Sequence, residues 1–594
     1  MIVPMKKVTV LSLASHRDGT LDALRDLGAV HVTPLQASAT GDVESARRRL
    51  DEARAALGAL DRLAAETPAP ASAPAVPTDS PDRLLAAALG HTASLRERRE
   101  TLQRLDEQIL HLAPLGDFDP AQVRELAHRG ISLRLFKSEA KAAFTPPPGA
   151  VLAELGRDRT AVHFALVNAP DWSDAAAIEI PIPERSLADL RHERGLAASG
   201  QAEDEAALLR LIPARPAIAE AVAALENRLH WLDVRDGMAA EGPLLLLQGY
   251  MPAGDVKRLE AEAAKRGWGW LAEEPAESDP VPTLIDSPRW IRPIHLLFDM
   301  LGILPGYREV DVSPIFLVFF SLFFAMLVGD AVYGLLFLGL TFLIRKKWKS
   351  APRNLVPLLA ILSVSTIAWG VLTGSYLGLT DIPGPLKSLR INWLLDPDNI
   401  NIQKFCFFIG ALHMSVAHAW NVWRLRKQST ALAQVGWIGT CWAMYAFSNY
   451  LVLGLPLVEG ATTLLGLGVA LILVFTVPLR DLKKESVSLL TLPLSIIGNF
   501  GDVVSYLRLY LVGSASVVLV QAFNDIAFPP GPSSVLLMLG GAAILFAVHV
   551  LNILLGSLAV LVHGVRLNAL EFSSHMGIQW LGLKFNPFRK QTPT

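Results

Sequence analysis

Beyond Asp311 the sequence becomes a succession of apolar stretches long enough to cross a bilayer. Inside lipid every backbone N–H and C=O must find its partner within the protein, so such stretches are limited to helices or a closed barrel, and their length selects helices. Of the 54 basic and 56 acidic side chains, only 29 lie after Asp311. The 594 residues therefore read as a charged, soluble first half and a membrane second half.

The spans expected from the apolar runs are 312 to 328, 331 to 344, 355 to 379, 402 to 423, 431 to 454, 462 to 478, 488 to 527 and 533 to 575. Five basic residues follow the second (Arg345, Lys346, Lys347, Lys349, Arg353), and three more lie at each of 424 to 427, 480 to 484 and the C-terminal tail. The alternate loops are nearly free of them, so the positive-inside rule places the basic loops and both termini in the cytoplasm. If the soluble half and the loop at 345 share that side, residues 312 to 344 must cross twice, with the reversal at Gly329-Asp330. That makes eight helices.

The last two are long: some forty residues reach about 60 Å, twice the roughly 30 Å of hydrocarbon. Such helices tilt, kink or project, and Pro493 is a candidate kink or start. Each carries an arginine. Arg508 sits in SYLRLY, in a stretch whose other charges are Asp502 and Asp525, and Arg566 in LVHGVRLNALEF follows more than thirty uncharged residues. A guanidinium at mid-bilayer costs about 2.5–3.5 kcal/mol or more, which makes it a functional-site hypothesis. At helical spacing Asn552, Gly556, Ala559, His563 and Arg566 form one stripe, whose small members would let a partner helix approach. On the seventh helix Gly501, Ser505 and Arg508 share one face and Asn499, Asp502 and Tyr506 another. The alternatives are that Asp502 and Arg508 only bind the bundle together, or that the arginines snorkel to an interface.

In the soluble half, Val8 to Leu13 reads as a strand, Thr20 to Asp26 as a helix stopped by Gly28, and Val30 to Thr33 as a second strand. Helical patterns follow at 42 to 65 and 82 to 112, separated by a Pro/Ala/Ser-rich break, and another runs from about Ala206 to Asp233. Short strands and a helix occupy 115 to 185, and a strand, turn, helix and strand lie near 244 to 274. The expected arm, 1 to 295, has a proximal lobe (1–40 and 240–275), a coiled-coil rod (about 42–112 and 206–233) and a distal lobe (about 115–185); one irregular globular domain is the plain alternative. A junction, 296 to 311, leads to the membrane domain, 312 to 578, and a tail, 579 to 594.

No P-loop pattern occurs, so nucleotide binding through that motif is not expected. His16, His31 and His91 lack ligand-spaced partners, and neither a metal nor another cofactor is implied. A net charge of −2 argues against a nucleic-acid partner. Cys406 and Cys441 fall in apolar spans, which excludes a disulfide framework. The opening MIVPMKKVTVLSL lacks the order of a signal peptide, so the first half is expected in the cytoplasm.

These residues resemble a known family: subunit a, also called subunit I, of rotary V-type and A-type ATPases and ATP synthases, in its bacterial and archaeal branch. The opening IVPMKKVTVLSL with LRDLGAVHV is similar to the family's first lobe and GYMPAGDVKRLEAEA to its return. PRWIRPIHLLFDMLGILPGYREVDVSPIFLVFFSLFFAMLVGDAVYGLLF is similar to its approach to the membrane, and WGVLTGSYLGL to its third span. SYLRLY and LVHGVRLNALEF are the most specific matches. The chain departs where the family usually has PFE and DPTP, carrying Pro293-Ile294-His295 and Asp311-Val312-Ser313-Pro314 instead; Gly556 and Ser516 stand where some members have glutamate and histidine.

The resemblance implies a stator that is not catalytic alone, in a proton-translocating complex of the cell membrane. Its partners would be a rotor ring of proteolipid subunits, peripheral-stalk subunits on the arm, the central-stalk socket subunit as a further candidate, the catalytic head indirectly, and lipid. Arg508 and Arg566 would face the ring's carboxylates. A fixed guanidinium favours the ionised carboxylate, and arginine, unlike a buried lysine, stays charged. Glu571, His563 and Glu485 are expected along a cytoplasmic half-channel, with Asp330, near the opposite surface, and Asp502, Asn499, His413 and His418 as further half-channel candidates; for each the alternative is a satisfied helix-packing residue. Asn552, Gly556 and Ala559 would form the rotor contact stripe. The competing reading is an ion-coupled secondary transporter with a regulatory domain, which predicts an internal repeat and broken helices that the sequence does not display.

Overall fold

The computed structural model describes the chain except for residues 37–39, 67–78, 140–147, 158–160, 175, 349–350, 380–383, 395, 477–485, 528–534 and 591–594. It divides into two compact units, one made of Lys7–Met251, Asp255–Ala272 and Pro587–Thr594, the other of Met1–Lys6, Pro252–Gly254 and Glu273–Asn586.

The first unit opens with β1 (Met5–Leu13), α1 (Arg17–Leu27) and β2 (His31–Thr33), followed by α2 (Gly41–Glu66) and α3 (Pro81–Leu112). The helix read at Thr20 to Asp26 closes at Gly28 as expected, with φ +62°. Most of the Pro/Ala/Ser-rich break lies outside the described residues. Next come α4 (Pro120–His128), β3 (Leu133–Glu139), β4 (Val151–Arg157), β5 (Ala161–Val167) and β6 (Ala177–Ile180), paired antiparallel in the order β4-β5-β3-β6. Phe136, Phe164 and Trp172 hold this sheet's core, with Phe136 stacked 5.5 Å from Phe164 and edge-on at 5.0 Å to Trp172.

The return path corrects the sequence reading. Helix α5 begins at Leu187, well before Ala206, capped by Ser186 Oγ accepting from Asp189 N, and a short 3-10 turn separates it from α6 (Arg215–Asp236). The stretch carries little hydrophobic periodicity, because small residues such as Ala197 and Gly200 are buried beside polar ones. Four helices rather than three therefore share one core, built from Leu50, Ala53, Leu60, Leu84, Leu208 and Ile218 among others. Finally β7 (Ala239–Glu241), β8 (Leu244–Pro252), α7 (Val256–Arg266) and β9 (Gly269–Glu273) rejoin the opening strands in a sheet ordered β2-β8-β1-β9, with β7 paired to β8.

In the second unit, β10 (Pro282–Thr283) pairs in parallel with β11 (Leu583–Lys584), and α8 (Ile294–Leu301) precedes the long apolar helices. These are α9 (Ser313–Val328), α10 (Ala331–Lys347), α11 (Leu355–Thr373), the short α12 (Gly384–Lys387), α13 (Ile400–Leu425), α14 (Ala431–Leu453), α15 (Ala461–Phe475), α16 (Ser486–Ser505), α17 (Leu507–Ala527), α18 (Val535–Ala559) and α19 (Ser573–Met576). Two π-helical turns, Val560–Gly564 and Leu567–Phe572, link α18 to α19.

The turn expected at Gly329-Asp330 is present: α9 and α10 meet at 119°. Gly329, at φ +71°, ends α9 in the left-handed region, and Asp330 starts α10 as its cap. Among the described residues, four helices are long and apolar enough to cross a membrane: Leu355–Thr373, Ile400–Leu425, Thr491–Ala527 and Met538–Met576, with the bent pair as a fifth if it counts as one span. Helix α14, with Gln434, Thr440, Ser448 and Asn449 inside it, is not among them, nor is α15 at 15 residues. The last two spans are long, as expected, at 37 and 39 residues.

Pro493 lies inside α16 and neither starts nor ends it. The interruption falls instead at Tyr506. There the ladder tightens to three-residue steps, Tyr506 N to Val503 O (3.2 Å) and Leu509 N to Tyr506 O (3.0 Å). Tyr506 is fully buried against α13, where a Cβ on Gly410 would lie 2.8 Å from its ring.

Candidate functional site

The interruption at Tyr506 frees the carbonyl of Ser505, which accepts from Arg508 Nε at 2.9 Å. One end of the guanidinium is thereby fixed to its own helix. The other end, Nη2, donates to Glu571 Oε1 at 2.7 Å. Arg566 Nε lies 3.4 Å from the same oxygen. Glu571 is 6 % exposed, Arg508 23 % and Arg566 53 %, so one buried carboxylate stands between two guanidinium groups that open progressively outward.

The π turns make this possible. Arg566 and Glu571 are five residues apart, about 140° around an α-helix. A π turn closes its backbone hydrogen bonds between residues five apart rather than four, which reduces that offset. It brings Glu571 back under Arg566, and the bond from Ser573 Oγ to Asn568 O (2.9 Å) follows the same five-residue step. The stripe read at α-helical spacing therefore does not continue as one face. Asn552 turns into the chain's own bundle, donating to Tyr333 OH (3.2 Å) and Ser516 O (3.5 Å), and Tyr333 OH in turn meets His549 Nδ1 at 2.8 Å. Gly556 leaves open space where a Cβ would stand, and Ala559 is half-buried. His563 is half-buried within electrostatic range of both arginines.

Asp502, six residues before Arg508, belongs to a second cluster. Its Oδ2 is 3.0 Å from His575 Nε2, His575 Nδ1 is 2.9 Å from His418 Nε2, and His418 Nδ1 is 2.7 Å from Gln434 Oε1. Asn421 Nδ2 donates to the His575 carbonyl at 3.1 Å. With a neutral His418 donating from Nδ1 to the Gln434 carbonyl, its Nε2 accepts from His575 Nδ1. His575 and Asp502 then share one proton, whichever of the two carries it. All of these side chains line a cavity of about 530 Å³ that also reaches Arg424 in the last turn of α13.

A second cavity, of about 410 Å³, lies along the other part of the same long helix, lined by Tyr510, Ser514 and Gln521 together with Gly329, Tyr376 and Arg390. Arg508 falls between the stretch that lines the first cavity (Ser495, Gly498, Asp502) and the stretch that lines the second (Leu509 to Gln521).

The remaining candidates are bonded within the bundle. Asn499 is buried and donates to Thr440 Oγ1 (3.0 Å) and Cys441 Sγ (3.6 Å), tying α16 to α14. Asp330 caps α10 through Val332 N (2.8 Å), and also accepts from Tyr333 N, Ser375 Oγ (3.1 Å) and Leu377 N. His413 is stacked between Phe319 and Phe572, at 3.8 and 4.3 Å, with its Nδ1 2.8 Å from Tyr506 OH. Glu485 and the basic group 480–484 lie outside the described residues. His575 and Gln434 escaped the sequence reading, since each is a lone polar residue whose partners lie on other helices. Among the described residues no group of three His, Cys, Asp or Glu could hold a metal ion.

No family model matches the chain. It is 32 % identical to V-type ATP synthase subunit I 1 of Treponema pallidum, over the full length of both chains. It is 28 % identical to V-type ATP synthase subunit I of Borreliella burgdorferi, over 99 % of this chain and all of the relative. It is 27 % identical to A-type ATP synthase subunit I of Methanocaldococcus jannaschii, over 58 % of this chain and 54 % of that one. A crystal structure of the cytoplasmic N-terminal domain of subunit I, homolog of subunit a, of V-ATPase is similar over 45 % of this chain and 99 % of its own, with 14 % identity and a TM-score of 0.21, too low to bear on the fold. On its full-length identity to the treponemal protein, the chain belongs to the subunit I family of V-type and A-type ATP synthases and is a membrane subunit of such a complex.

Proposed function

We propose that this chain is the membrane stator of a rotary V/A-type ATPase or ATP synthase, supplying two ion half-channels and the guanidinium groups that face a ring of carboxylates. The observation that carries it is the place of Arg508 between two separate cavities along one long helix. A ring carboxylate, protonated while it faces lipid because a bare charge there is costly, loses its proton when it comes beside Arg508. The proton leaves through the cavity holding Asp502, His575 and His418. Reloading follows through the cavity at Tyr510, Ser514 and Gln521. Arg508 keeps the two routes apart because a proton cannot cross a permanent positive charge.

Eight crossings, with both termini and the basic loops in the cytoplasm of the cell membrane, complete this reading, in which the cavity near Arg424 opens to the cytoplasm. The charged first unit is the arm that peripheral-stalk subunits hold against the static head, so that rotation of the ring becomes torque. Chemistry on ATP belongs to other subunits. The test is Arg508→Ala in the assembled complex, reconstituted into vesicles. ATP-driven proton uptake is expected to vanish, and an assembled R508A complex that pumps normally overturns the function.

A further inference from the structure

We propose that Glu571 is the stator's own stand-in for the ring carboxylate: it holds Arg508 between passages, and Arg566 keeps it when a ring carboxylate takes Arg508. This rests on the stator reading. Glu571 Oε1 accepts from Arg508 Nη2 at 2.7 Å and lies 3.4 Å from Arg566 Nε, while its Oε2 is buried and has no hydrogen-bond partner among the described residues. A buried carboxylate with one oxygen unmatched is under-satisfied, and a guanidinium fork supplies two donors in the matching plane. Arg566, half exposed, has the freedom to close on both oxygens. Arg508 is anchored through Nε to Ser505 O, so its Nη groups can pass from one carboxylate to another without the helix moving.

Charge counting leads to the same assignment. Two guanidiniums and one carboxylate leave one net positive charge, which a single ring carboxylate neutralises. Without Glu571 the ring carboxylate would meet two uncompensated positive charges in a site of low dielectric and would be held there. The exchange makes and breaks ion pairs only; no covalent bond changes, and the ring's proton leaves by the route through Asp502 and His575. Arg566 thereby acquires a task distinct from that of Arg508: it is a positioning residue that acts through Glu571.

The test uses Glu571→Gln, which keeps the size and removes the charge, in the assembled complex in vesicles. ATP-driven proton uptake is expected to fall roughly tenfold or more. The double variant R566Q/E571Q, which returns the set to one net positive charge, is expected to recover about threefold or more over E571Q. Uptake by E571Q within about twofold of wild type overturns the stand-in, as does a double variant no faster than the single. If E571Q fails to assemble but R566Q/E571Q assembles and pumps, the charge balance is upheld. If neither assembles, Glu571 is a packing residue and the stand-in is overturned. The stator reading fails separately, on R508A pumping at the wild-type rate.

Discussion

Arg508 and Glu571, separated by 63 positions in the chain, meet at 2.7 Å because one helix tightens at Tyr506 and its neighbour widens into a π turn. Both irregularities sit next to the ion pair, as is common where helices serve a function. Each supplies something a regular helix would not: a carbonyl for Arg508 Nε on one side, a carboxylate turned under Arg566 on the other.

Asp502, His575 and His418 form a connected line, so they are expected to fail as a unit. H575Q and D502N should each slow ATP-driven proton uptake by roughly tenfold, and the double variant should be about as slow as either single, since a broken relay cannot be broken twice. Losses that multiply in the double variant would mean that the two residues act independently.

Asp330 was a half-channel candidate by sequence, but its carboxylate is committed to capping α10 and holding Ser375 and Leu377. D330A is therefore expected to cost stability, about 0.5–2 kcal/mol for the cap alone, while the complexes that do assemble pump within about twofold of wild type. Thermal unfolding in detergent alongside vesicle uptake separates the two effects. A D330A complex of unchanged stability and abolished uptake would return Asp330 to the ion route.

In the first unit, Asp204 on α5 meets His91 Nδ1 and Arg98 Nε of α3, each at 2.9 Å. The hydrogen bond from His91, joined by that from Arg98, holds its carboxyl below the usual range against the opposing effect of burial. A carboxyl lowered in the folded state adds stability that is fully present above its unfolded value of about 3.9 and is lost as pH falls through the folded value. Protection of the α3 and α5 amides in the full chain, measured against their intrinsic exchange rates at each pH, should therefore fall on acidification below about pH 4. D204N should weaken protection by about 1–3 kcal/mol at neutral pH and flatten this acid dependence. Equal acid sensitivity in D204N would assign the effect to other carboxylates.

The sequence by itself determined where the charged half ends and the apolar helices begin, because burial in lipid tolerates few charges and needs long uninterrupted runs. It also located the turn at Gly329-Asp330, since a glycine that can take positive φ followed by a capping aspartate is a local signal. It singled out Arg508 and Arg566 for a similar reason: a charge is conspicuous among apolar neighbours. The tertiary structure alone decided what surrounds them. The helical period placed Arg566 on a stripe with Asn552, but two π turns break that period. His575 and Gln434 gain meaning only from partners on other helices, and Asn499, Asp330 and Asn552 make bonds within the bundle that the sequence does not display. Which polar groups face a cavity and which fasten one helix to another is set by side-chain contacts between distant segments, and those exist only once the bundle has formed.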